Sequence, residues 1–106
     1  MTRQFLIEYH AAPDYASAPP EAKRAHLQYR MAIAGLRLAS QVQSDAGKII
    51  GSLLIVDAAD RAAAETLARG DPYVELGYYE TFEVRPGEVR FCDLEVRPDL
   101  AGAKPG

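Results

Sequence analysis

The segment Leu36-Arg37-Leu38-Ala39-Ser40-Gln41-Val42-Gln43-Ser44-Asp45-Ala46-Gly47-Lys48-Ile49-Ile50-Gly51-Ser52-Leu53-Leu54-Ile55-Val56 holds two strand-like runs around a polar break. Asp45 and Gly47 in that break are strong turn punctuation, so residues 36–43 and 48–56 read as a hairpin. The second run is apolar on both alternating sets, Leu53 and Ile55 against Leu54 and Val56. A sheet that contains it has two apolar faces.

Upstream, residues 3–9 read as a strand, with Phe5, Ile7 and Tyr9 alternating with Gln4, Leu6 and Glu8. An Ala-, Pro- and Ser-rich loop follows. Ser17 as a capping hydroxyl, Pro19-Pro20 and the first-turn acid Glu21 then predict a helix to about residue 34, with Gly35 as its stop. Its apolar stripe is Ala22, Ala25, Tyr29, Ala32, Ile33 and Leu36, with His26 at the border. Downstream of the hairpin, Asp57 or Asp60 caps a second helix to residue 69, whose Ala62, Ala63, Ala64 and Leu67 suit close packing on a sheet. Asp71-Pro72 opens a short helical turn that Gly77 closes, and residues 78–85 form a fourth strand. Pro86-Gly87 reads as a turn and residues 89–96 as a fifth strand, in which Cys92 is a packing residue.

Strand, helix, strand, strand, helix, strand is the split arrangement called ferredoxin-like: an α+β fold, βαββαβ, with an antiparallel sheet and both helices on one face. The expected organisation is one domain over residues 1–97, the extra C-terminal strand included, and a flexible tail over 98–106. Helices cover one apolar face of the sheet, and the other needs a second cover. A chain of 106 residues buries a limited share of its surface, so a second copy is the economical cover and a homodimer is expected.

A composition 48% hydrophobic and 25% charged excludes a disordered or fibrous chain. The net charge of −3 comes without any cluster of Lys and Arg, which argues against nucleic acid as a partner. There is no apolar run of roughly 18 residues and hence no membrane span. The start, Met1 to Glu8, lacks the apolar stretch and cleavage site of a signal peptide, so the cytoplasm is the expected compartment. The single Cys92 can form neither an internal disulfide nor a cysteine metal site.

Two histidines are present. His26, on the sheet-packing helix, suits general acid–base work, because imidazole exchanges protons near neutrality; an idle, half-exposed helix histidine is the bland alternative. His10 reads as an ordinary strand-end residue. Asp71 reads first as a helix N-cap, yet a carboxylate held by backbone N–H groups is also a good orienter of an imidazole. Tyr73, Tyr78 and Tyr79 can line a pocket for a planar ligand or simply fill the core. Arg30, one turn beyond His26, can anchor a substrate carboxylate, although a solvated helix arginine is the commoner reading. No His, Asp and Glu group has metal-ligand spacing along the chain. Gly47 to Gly51 lacks the following lysine and helix of a phosphate loop. Neither a metal nor a cofactor is expected.

Asp71-Pro72-Tyr73-Val74-Glu75-Leu76-Gly77-Tyr78-Tyr79-Glu80 resembles the signature of the YciI-like (YCII-related) family. His26, in Arg24-Ala25-His26-Leu27, matches that family's helix-one histidine, and Gly51 to Val56 with the alanine-rich helix after it matches the family's middle. The likeness spans about residues 3 to 86. It implies a ferredoxin-like chain of the dimeric α+β barrel type, which would explain a sheet apolar on both faces. It also implies a candidate active site in which His26 pairs with Asp71. Some members resemble lyases that remove hydrogen chloride from chlorinated aromatic catabolites, and most have no assigned reaction. Ser40-Gln41-Val42 stands where many members carry Gly-Pro, so Gln41 and Gln43 give the pocket wall a different shape. The chain beyond Pro86 exceeds the family core and is expected to add to the dimer interface or to cover the pocket mouth.

The resemblance implies a small-molecule enzyme of lyase or isomerase type, without cofactor. His26 and Asp71 would be its catalytic pair, and Arg30, Tyr73 and Tyr79 its substrate-binding candidates, for a small cyclic or carboxylate-bearing substrate. The competing readings are a non-catalytic dimeric module that binds a small metabolite or docks on a larger enzyme, and a cofactor-free oxygenase-type barrel.

Overall fold

The structure is a computed structural model that describes residues 1–94. The elements are β1 (Arg3–Ala11), a 3-10 turn (Tyr15–Ser17), α1 (Pro20–Met31), β2 (Leu36–Gln43), β3 (Ile49–Ala58), α2 (Arg61–Arg69), α3 (Pro72–Glu75) and β4 (Tyr79–Gly87). The strands form one antiparallel sheet in the order β2-β3-β1-β4, the ferredoxin-like arrangement. The β2–β3 turn closes through Gly47 N–H to the Ser44 carbonyl at 2.8 Å, with Gly47 left-handed at φ 85. Glycine takes that conformation without the steric cost a side chain would add.

Register sorts the side chains into two faces. Phe5, Ile7 and Tyr9 stand opposite Val56, Leu54 and Ser52 on one side and Pro86, Val84 and Phe82 on the other. Most of this face is buried, with Ala22 of α1 and Ala64 and Ala68 of α2 in the same core. Each fully buried Phe, Ile, Leu or Val side chain stabilises the fold by about 1.5–3 kcal/mol. The alanines permit close approach, and Tyr9 Oη–H donates to the Ala68 carbonyl at 2.7 Å, tying β1 to α2. On the other face Leu6, Leu38 and Ile55 align, with Leu53 beside Glu8, and all four are partly exposed. Among the described residues no helix is long and apolar enough to cross a membrane.

Several local expectations are corrected. Ser17 is not the α1 cap: it lies in the 3-10 turn, and Pro19 is the N-cap, without a side-chain bond. A cap side chain reaches only the second or third N–H after it, and Ser17 sits too far upstream. The α-helix ends at Met31, and Gly35 is not a left-handed stop. Its carbonyl accepts from Asp57 N–H at 2.8 Å, and a Cβ there would collide with the Asp57 carbonyl. Asp60, not Asp57, caps α2, accepting from Ala63 N–H at 2.8 Å. Ala32 and Ala62 are exposed.

β4 runs through Pro86 and Gly87 rather than turning before them, because an edge strand tolerates a residue without an N–H. Residues 88–94 form no strand; the rest of the expected fifth strand and the tail lie outside the described residues. Both sides of β1 are already paired, and this segment instead crosses the open face, where it borders a cavity together with Leu6, Leu38 and Ile55 and Val89 N–H donates to Gln4 Oε1 at 2.7 Å. Cys92 is exposed, not a packing residue.

Candidate active site

Helix α1 presents His26 and Arg30 four residues apart, on one face. Asp71, the N-cap of α3, meets both and is 0% exposed. His26 Nδ1 lies 2.8 Å from Asp71 Oδ1 and 2.9 Å from Oδ2. Arg30 Nε–H donates to Oδ2 at 2.8 Å and Tyr73 N–H to Oδ1 at 2.9 Å. Burial alone would raise the Asp71 carboxyl. The hydrogen bond and charge from His26, the Arg30 cation and the Tyr73 N–H outweigh it and hold the group below the usual carboxylate range. An ionised carboxylate can only accept, so Nδ1 of His26 carries the proton in this bond. Burial likewise opposes the Arg30 cation, but Tyr79, Asp71 and Tyr9 override it and move its pKa up.

Arg30 spreads the network across the sheet. Its Nη1 donates to Ser52 Oγ on β3 at 3.1 Å and its Nη2 to Tyr79 Oη on β4 at 3.2 Å. Ser52 Oγ–H passes the chain on to the Ser40 carbonyl of β2 at 3.2 Å. The imidazole of His26 stacks on Tyr73, with centroids 4.1 Å apart and planes 9° apart. Gly70 lets this assembly close: a Cβ there would collide with the Tyr29 hydroxyl, which donates to the Leu67 carbonyl at 2.8 Å.

Two cavities adjoin His26. An inner one of about 140 Å³ is lined by His26, Arg30, Gln41, Ser52 and Tyr79 among others. A wider cleft of about 680 Å³ shares His26, Tyr15 and Gln41 with it and adds Tyr73 and the start of β3. A cavity near 150 Å³ holds a benzene ring, so the inner one is ring-sized.

The YCII-related domain pattern matches residues 4–88, from β1 to just past β4, with every residue of the network inside it. The chain belongs to the YCII-related domain family. Among solved structures it is similar to 5-chloro-2-hydroxyhydroquinone dehydrochlorinase (TftG) from Burkholderia phenoliruptrix AC1100, seen in complex with 2,5-dihydroxybenzoquinone. That likeness has a TM-score of 0.69 at 21% identity and covers 80% of this chain and 93% of that one. It is also similar to NE2512, a protein of unknown function from Nitrosomonas europaea, with a TM-score of 0.52 at 16% identity over 92% and 98% of the two chains. No curated protein sequence matches the chain. The structural likenesses carry the fold alone, a ferredoxin-like α+β chain with a four-stranded antiparallel sheet.

In this YCII-related domain all five site residues expected from the sequence come together: His26, Asp71 and Arg30 directly, Tyr79 through Arg30, and Tyr73 by its N–H and its stacked ring. Arg30 is not the solvated arginine that its helix position suggested; it is 7% exposed. Tyr78 packs on Tyr73 at 5.3 Å and lines neither cavity. Residues 88–94 line a separate cavity on the open face and do not cover the site. Ser52 and Tyr15 join the site as well; the sequence signal for Ser52 is its polar break in the inward set Ser52, Leu54 and Val56. On the open face Glu8, His10 and Glu83 bring ligand atoms within 4.8 Å of one another, which spacing along the chain could not reveal. Glu83 there is already engaged, by the Arg85 cation at 2.6 Å and by His10 Nε2 at 3.3 Å.

Burial raises the hydroxyl of Tyr73 to about 12 and pushes those of Tyr9 and Tyr79 above their ordinary value. At neutral pH all three are therefore protonated. Such groups add stability that is complete below the unfolded value of about 10 and is lost as pH rises beyond it. Denaturation midpoints are expected to fall steadily above pH ~10, and less steeply in Tyr73→Phe. Equal slopes in the two proteins would remove Tyr73 from that account.

Proposed function

We propose that this YCII-related domain is a small-molecule enzyme of lyase or isomerase type, with His26 the group that takes or gives the proton and Asp71 its orienter. One observation carries the reading. Nδ1 is held by a buried, ionised carboxylate, while Nε2 has no protein partner among the described residues, on a side chain that lines a ring-sized cavity. In an elimination, Nε2 would accept a proton from a ring carbon. The C–H electron pair would become the new double bond, and the leaving group would depart with its own bonding pair. Such chemistry asks for an acid–base group and no cofactor. Arg30, Tyr73 and Tyr79 would shape and line the pocket, and Arg30 would hold Asp71 ionised.

TftG carries the name of a dehydrochlorinase and was seen with a dihydroxybenzoquinone, a flat ring of a size that suits the inner cavity. The proposed substrate class is accordingly a small oxygenated ring compound. The working unit is proposed to be a cytoplasmic homodimer, in which a second copy covers Leu6, Leu38, Leu53 and Ile55 on the open face.

Two measurements on the wild-type protein test the reading. Nitrogen-15 NMR should find the imidazole of His26 protonated at Nδ1, with the Nε2 signal moving when a ligand binds. Chloride release from 5-chloro-2-hydroxyhydroquinone, and turnover of a panel of related hydroxylated rings, should be measured with and without added metal. Stabilisation by ring compounds without turnover of any would instead mark a binding module.

A further inference from the structure

We infer that the site takes its ligand in two parts: an uncharged ring in the inner cavity beside His26, and an anionic group, such as a carboxylate, in the outer cleft at Lys23 and Lys48. This rests on the proposed function of the His26 site and refines its substrate class. Lys23 comes from α1 and Lys48 from the end of the β2–β3 turn, and both line the outer cleft with His26. Among the described residues no carboxylate lines that cleft. Among the described residues neither lysine has an ion-pair partner. In a chain of net charge −3, a cleft bordered by two free cations and no acid runs against the overall sign. A cleft lined by one sign of charge concentrates ligands of the other.

Arg30 does not play the anchoring part. Its Nε–H and one N–H on each of Nη1 and Nη2 are turned to Asp71, Ser52 and Tyr79. Its charge already faces that of Asp71 at 2.8 Å, so the inner cavity offers an acid little net attraction. The same cleft has an apolar part to its lining: Leu27, 47% exposed, and Ile49, with the ring of Tyr73. A short hydrocarbon spacer between ring and acid suits that lining. The ligand is thus a hydroxylated ring acid whose ring sits at the proton-transfer group and whose acid sits at the rim.

The probes are 4-hydroxyphenylacetate and its near-isosteric uncharged partner 4-hydroxyphenylacetamide, followed by NMR titration. At low salt the acid should bind about tenfold more tightly than the amide, each solvent-exposed lysine supplying up to about fivefold. Both probes should move the His26 imidazole signals. In Lys23→Gln/Lys48→Gln the two should bind alike, and in wild type at about 1 M salt as well, where charges are screened beyond about 3 Å. Both lysines are exposed, so the variant should keep the wild-type fold, which circular dichroism checks. A wild type without acid preference, or a preference that survives in the double variant, overturns the assignment of the outer cleft. Those results leave the proton-transfer reading of His26 standing, because that reading is judged separately, by turnover.

Discussion

Asp71→Asn is expected to lower the unfolding free energy by about 3–5 kcal/mol, the usual cost of removing one partner from a buried ion pair. The asparagine can still cap α3 and accept from Tyr73 N–H or His26. What it cannot do is neutralise Arg30, which is 7% exposed and has no other anion within bonding reach among the described residues. Against total stabilities of about 5–15 kcal/mol, that is a large share. Urea denaturation measures it. Arg30→Met in the Asp71→Asn background should recover part of the loss, since a buried cation with no anion is then no longer present.

The same carboxylate has a signature in pH. Its folded pKa lies below the ordinary value, so its contribution is complete above about pH 4 and drains away as pH falls through the folded value. Wild type should lose stability on acidification over that window and Asp71→Asn should lose less. A variant within about 1 kcal/mol of wild type, with an unchanged acid slope, would remove Asp71 from the centre of the network.

The sheet was legible because its signals are local. Asp45 and Gly47 mark the hairpin turn, and the alternation of Phe5, Ile7 and Tyr9 marks the face under the helices. Residues 89–96 carry spaced apolar residues as well, yet such spacing does not choose between pairing at a sheet edge and crossing the open face, and residues 88–94 do the latter. Asp71 read as a cap from its neighbours alone, and it is a cap. Its ion pair with Arg30 spans 41 residues and its hydrogen bond with His26 spans 45, distances over which no periodicity speaks. Only the family resemblance joined His26 to Asp71 in advance. The burial of Arg30 is invisible along the chain for the same reason. An arginine on a helix is solvated unless other elements bring acceptors to it, and here β3, β4 and the α3 cap each bring one. The cluster Glu8, His10 and Glu83 was hidden likewise, since two of its members sit on β1 and the third on β4.

His26→Ala is expected to reduce turnover of the best ring substrate by about 10²–10⁴-fold, the range a positioned acid–base group supplies. The fold should tolerate the change far better than it tolerates Asp71→Asn. Asp71 would keep Arg30 Nε–H and Tyr73 N–H as partners, so no buried charge is left alone. The lost imidazole hydrogen bond and its stacking on Tyr73 should cost only about 1–3 kcal/mol. This separation of effects is the diagnostic: one variant removes chemistry and leaves stability, the other removes stability through Arg30. A second readout guards against an indirect effect. The space vacated beside Tyr73 matches an imidazole ring, so free imidazole in the medium should restore part of the lost turnover in His26→Ala. In Asp71→Asn it should restore none, because there the ring is still present. Turnover within about threefold of wild type in His26→Ala, well short of the acid–base range, would place the proton transfer elsewhere.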